Sequence, residues 1–145
     1  MTATVAVALK IPDNAAYTAL TALRRLGVAV ERVERSEIHR FEVDGGIGAL
    51  VARITSDETI FNPNKHRLTV LDDDEPRTGE VWIEPLRSAG RGPAATAWRL
   101  FDANGEPVSQ SMLAAAAERL LCNPAIDRAV ARGETTGRDN PSASE

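Results

Sequence analysis

Apolar and polar positions alternate from Thr4 to Ile11, with Val5, Val7 and Leu9 on one side, the two-residue period of a strand half buried against a core. Pro12, Asp13 and Asn14 break that pattern and supply a side-chain acceptor for the free amides of a helix start. Leu20, Leu23 and Leu26 then recur at helical spacing, Arg24 and Arg25 suit the negative end of the dipole, and Gly27 can adopt the left-handed conformation that stops a helix. Together they predict a helix over 15–26. Val28 to Arg35 and Ile38 to Val43 alternate again, and Ser36-Glu37 between them predicts a hairpin. Beyond Gly45-Gly46, the residues Ile47, Leu50, Val51 and Ile54 fall at i, i+3, i+4 and i+7 of a second amphipathic helix. Asn62-Pro63 ends it, and His66 to Leu71 returns to strand alternation, with Arg67 and Thr69 opposite Leu68 and Val70. The order β-α-β-β-α-β is the ferredoxin-like split arrangement of an α+β fold.

A second stretch follows a change of composition. Asp72-Asp73-Asp74-Glu75-Pro76 sets four acids in a row, which repel one another and solvate readily, so 72–80 reads as a linker. Val81 to Leu86 has strand character, and Ser88 to Pro93 is a Gly/Pro-rich loop beside Arg87 and containing Arg91. Trp98 to Phe101 and the segment around Val108 flank Asp102-Ala103-Asn104-Gly105, a second hairpin signal that places Pro107 on an edge. Ser109 or Ser111 can cap a helix running through Leu121, whose alanines and leucines favour that state. Asn123-Pro124 ends it, Ala125 to Val130 is a last strand, and 133–145 is a polar tail expected to be disordered. The organisation expected is therefore a unit over 1–71, an acidic linker over 72–80, a second unit over 81–132 packed on the first, and the tail.

Composition narrows the function classes. A chain of 145 residues can bury a core without disulfides or a structural metal. The lone Cys122 has no internal partner, the usage of a reducing compartment, so the expected location is cytoplasmic. Val5 to Leu9 is far shorter than the roughly 18 residues of a membrane span. A formal net charge of −4 disfavours binding nucleic acid by bulk neutralisation of phosphates.

Each candidate for chemistry has a plainer structural reading. Cys122 lies at a helix end with no histidine near in sequence, and is read as a small buried residue. His39 and His66 lack metal-ligand spacing and are read as strand side chains. The run Asp72 to Glu75 lacks the spacing and central glycine of a calcium loop, and Gly45-Gly46-Ile47-Gly48 lacks the lysine of a phosphate loop. Trp82 and Trp98 are read as packing residues. No catalytic, cofactor-binding or metal residue is expected. Arg87 and Arg91 are the candidate grip for a phosphate or a partner carboxylate, and Asn62-Pro63 and Asn123-Pro124 are candidate partner-facing turns.

The strand Val5-x-Val7-x-Leu9-Lys10, the helix end Ala22-Leu23-Arg24-Arg25-Leu26-Gly27-Val28 with the following Val30-Glu31-Arg32-Val33, and the turn Leu120-Leu121-Cys122-Asn123-Pro124-Ala125-Ile126 resemble the PurS family. Ile60-Phe61-Asn62-Pro63-Asn64 is a related form of the same turn, which suggests an internal duplication whose second copy, lacking a clear first helix, is degenerate. The chain departs from the family in its length, in Pro12-Asp13-Asn14-Ala15 where an Asp-Pro-x-Gly is usual, and in Ser36-Glu37 where Gly-Lys is common. The resemblance implies a non-catalytic subunit of formylglycinamidine ribonucleotide (FGAM) synthase in purine biosynthesis. Such a subunit bridges the PurL synthetase and the PurQ glutaminase and supports ammonia transfer, while ATP, Mg and glutamine are used by the complex. It also leaves room for a homo-oligomer. The competing class is a ferredoxin-like regulatory protein that binds a small molecule.

Overall fold

The computed structural model describes residues 2–10, 12–87 and 92–133. Their elements are β1 (Thr2–Leu9), α1 (Asn14–Arg25), β2 (Arg32–Glu42), α2 (Ile47–Thr55), β3 (His66–Val70), β4 (Glu80–Pro85), β5 (Ala95–Phe101), α3 (Gln110–Ala116) and β6 (Asp127–Ala131). A π-helical turn over Ala117–Leu121 continues α3, closed by the bond from Cys122 N to the Ala117 carbonyl at 2.9 Å. The fold is α+β, with one six-stranded sheet in the order β3-β1-β2-β5-β4-β6 and every neighbouring pair antiparallel.

Local chemistry explains most of the boundaries. Asp13 caps α1, its Oδ1 accepting from the amides of Ala15 and Ala16, and Gly27 leaves the helix at φ +87°. α2 begins at Gly46, φ +89°, and buries Leu50 and Ile54. Ser109, not Ser111, caps α3 through Met112 N. The second hairpin is reduced to a tight reversal, in which Phe101 bridges Pro107 and Asp102 N donates to the Glu106 carbonyl.

The hairpin expected at Ser36-Glu37 does not form. One strand runs from Arg32 to Glu42, so the first half is β-α-β-α-β. The alternation carries through Ser36 and Glu37 without a change of phase, and neither residue has the positive φ of a tight turn. Ser36 lies buried between Ala8 of β1 and Ala97 of β5, and the place beside β2 that a returning strand would fill is taken by β5.

The two sheet faces differ. One carries all three helices: α2 and the segment after it cover Val5 and Val7 through Leu50, Ile54 and Phe61, while α1 and α3 cover Val81, Ile83 and Leu100 through Leu23, Leu113 and Ala116. On the other face Ala6, Ile38, Trp82, Ala97 and Val130 form a third cluster with Leu71 against it. The acidic segment after β3 crosses this face. Asp74 accepts from Thr4 and Arg40, Asp73 pairs with Arg132, Glu75 accepts from Gly133 N, and the Pro76 ring is fully buried. Three of the four acids in sequence, Asp73, Asp74 and Glu75, are thus neutralised or hydrogen-bonded by groups remote in the chain rather than by water alone.

Strand registers coincide in the two halves. Val5 of β1 faces His39 on one side and Val70 on the other; Val81 of β4 faces Trp98 and Ala131. At the far ends Leu9 meets His66 and Pro85 meets Asp127. β2 and β5 join the halves around the pair Glu37 and Thr96.

Gly79 tests the packing most sharply. It sits at φ +76°, and a Cβ there would stand 2.5 Å from Pro107 Cβ. Gly79→Ala is expected to lower the urea-derived stability by about 1–3 kcal/mol or more. Gly48→Ala, inside α2 with open space at its Cβ, is expected to raise it by roughly 0.5–1 kcal/mol. Equal effects of the two substitutions would contradict this packing.

Candidate functional site

The two Asn-Pro turns have the same hydrogen-bond plan. The Asn62 side chain accepts from Asn64 N at 2.9 Å, its carbonyl accepts from Lys65 N and His66 N, and its own amide donates to His66 Nδ1 at 2.9 Å. In the second, the Asn123 side chain accepts from Ala125 N at 3.1 Å, its carbonyl accepts from Ile126 N and Asp127 N, and its amide donates to Asp127 Oδ2 at 3.4 Å. Each turn opens an edge strand, β3 or β6, and antiparallel order sends these two strands in opposite directions. The turns therefore stand at diagonal corners and do not meet. Arg87 is exposed just past β4, next to Leu86, whose amide donates to the Ile126 carbonyl at the Asn123 corner. Arg91 lies outside the described residues.

Phe61 and Cys122 occupy the position before each asparagine, with different results. Phe61 fills the first core, whereas the smaller Cys122 lines an apolar groove of about 300 Å³ between α3 and β6. Burial pushes the Cys122 thiol up, and the Asp127 carboxylate adds to that, the opposite of what an activated nucleophile needs.

Charged side chains are organised in pairs. Buried Glu80 accepts from Arg77 N at 2.7 Å, Arg77 Nη2 at 2.7 Å and Trp82 Nε1 at 3.2 Å, so its desolvation is offset on both oxygens. Buried Glu84 accepts from Arg128 at 2.9 Å, and Arg40 lies 3.5 Å away, its guanidinium over the Trp82 ring. On the helical face, Arg35, Glu37 and His39 follow one another along β2. His39 Nε2 is 3.5 Å from Glu37 and stacks on Phe41. The neighbouring His39 ring holds the Glu37 carboxyl below its usual range against the effect of burial, helped by Arg35 and His66. Among the described residues no group of three or more His, Cys, Asp or Glu could hold a metal ion.

A concavity of about 490 Å³ lies where β1 stops at Leu9 while β2 continues back to Arg32. Its floor is the small side chains Ala6, Ala8 and Ser36, its mouth carries Tyr17, and Lys10, Arg67 and Arg77 line it. Sequence reasoning passed over this cleft because its residues form no motif; the one available signal was the run of small residues in β1.

Asp13 is the best pH probe of the region. Burial alone pushes its carboxyl up, but hydrogen bonds from Arg35 at 3.0 Å and from the Ala16 and Ala15 amides outweigh burial and hold it below 3.8. A carboxyl lowered by folding contributes stability above its unfolded value and loses it as pH falls through the folded one. Asp13→Ala is expected to cost roughly 0.5–2 kcal/mol near neutral pH as a lost cap, and to flatten the decline of stability between about pH 5 and pH 2. Asp13→Asn keeps the cap and is expected to flatten only the acid limb. Urea melts across that range check both, and an unchanged acid limb in both variants would remove Asp13 from the account.

No helix among the described residues is long and apolar enough to cross a membrane. No family model matches the chain, and no curated protein matches it.

Proposed function

We propose that this chain is a PurS-like accessory subunit of FGAM synthase, a tandem of two related three-stranded units that bridges PurL and PurQ and supports ammonia transfer, with ATP, Mg and glutamine handled by those partners. The observation that carries the reading is the correspondence of the halves: equal strand registers around Val5 and Val81, and one hydrogen-bond plan at Asn62 and Asn123. A pair of similar units fused into one sheet presents two similar corners, which suits a body that touches two partners. The pairing of Glu80, Glu84, Asp13 and Asp74 with arginines also suits a scaffold, since their charge is spent on structure rather than on a reacting group.

A second reading, a small-molecule-binding regulator, is favoured by the 490 Å³ cleft, whose size lies within the range of ligand sites.

Glutamine-dependent FGAM synthesis by PurL and PurQ from the same organism, with and without the full chain, separates the two. Bridging is expected to make glutamine-dependent activity require the chain while ammonia-dependent activity by PurL does not. Asn123→Ala and Arg87→Glu are expected to weaken co-purification with the partners without unfolding the chain. Glutamine-dependent activity that ignores the chain contradicts the bridging role.

A further inference from the structure

A cleft's affinity for charge depends on which of its charges are already cancelled. Here each acid in the lining has its own arginine. Asp13 is held by Arg35 at 3.0 Å, Glu31 pairs with Arg24 at 3.6 Å, and Glu34 pairs with Arg32. Arg77 is in turn spent on Glu80. Two cations are left over. Lys10 Nζ donates to the Pro63 carbonyl at 2.8 Å, a contact that cancels no charge, and exposed Arg67 forms no hydrogen bond or ion pair among the described residues. In a chain of net charge −4, a cleft with two uncancelled cations stands out as a place that gathers anions.

The rest of the cleft fits an anion with an organic body. Arg67 and Ser36 flank Ala8 across three strands, and Thr69 flanks Ala6, so side chains that can donate border a floor of methyl groups. Ser36 is a buried residue and lines the cleft. Tyr17, 71% exposed, offers an aromatic surface at the mouth. The α1 amides of Ala15 and Ala16 are already taken by Asp13, so the helix start is not what holds the anion.

We infer that this cleft binds a small organic phosphate, with the phosphate held by Lys10 and Arg67 and a planar body set against the alanine floor and Tyr17. The site does not rest on the bridging role: ligand binding is read on the isolated chain, and complementation of FGAM synthesis is read separately.

The test is calorimetric titration of the full chain with AMP and with inorganic pyrophosphate at low ionic strength, using Arg67→Glu, Lys10→Glu and Arg53→Glu. Saturable one-to-one binding of AMP is expected, with pyrophosphate competing for the same site. Arg67→Glu and Lys10→Glu are each expected to weaken binding by roughly tenfold or more, while Arg53→Glu, exposed on α2 and outside the cleft, leaves it unchanged. Thermal melts of the unliganded variants confirm that these exposed side chains are not needed for folding. Failure of both probes to bind overturns the inference, as does equal weakening by Arg53→Glu, which marks general surface charge.

Discussion

The pairing of β2 with β5 is the interaction on which the rest of the molecule depends. It runs from Arg32 against Phe101 to Ile38 against Ala95, and without it the sheet would be two three-stranded pieces, each with an open central edge. Such edges invite association with other chains, and closing them against each other removes that hazard. Cross-strand pairs contribute about 0.2–1 kcal/mol each, but the larger effect is burial. The junction lets α1 from the first half share one core with α3 from the second, and it sets Ile38, Ala97 and Trp82 side by side on the opposite face.

Both remaining features follow from that junction. The connection from β3 to β4 must cross the sheet from one edge to the far half, and it does so over the face that has no helix. Three of its acids, Asp73, Asp74 and Glu75, are pinned there by Arg40, Arg132, Thr4 and the Gly133 amide. The cleft arises because β2 is long enough to serve both β1 and β5, so that its first residues, Arg32 to Arg35, extend beyond the end of β1. Small residues in β1 keep that notch open, and charge pairing around it leaves Lys10 and Arg67 uncancelled.

How much of this can be read from the sequence depends on whether the deciding neighbour is local. A cap at Asp13 or Asn14, a cap at Ser109 or Ser111, Gly27 as a stop, and the Leu50 and Ile54 face of α2 were legible because each signal lies within one turn of the element it controls. The continuity of β2 was not. Ser36-Glu37 resembles a connection in isolation, and only burial of Ser36 between Ala8 and Ala97 makes it a strand interior. The acidic run looked like a solvated linker because Arg40 and Arg132, which meet it, lie 34 and 59 residues away. The two Asn-Pro turns were visible as motifs, although their placement at opposite corners is a property of sheet order. The cleft was invisible, since Lys10 just past β1, Ser36 of β2 and Arg67 of β3 form no pattern along the chain.

Native-state hydrogen exchange on the full chain tests the joined sheet most directly. If β2 and β5 hold the halves as one cooperative body, the slowest amides of β1 and β4 are expected to exchange only through global unfolding, with one common free energy and one common dependence on denaturant. Two separate plateaus, with β1 and β3 opening while β4 and β6 stay protected, would show that the halves unfold independently and would contradict the central role given to the junction.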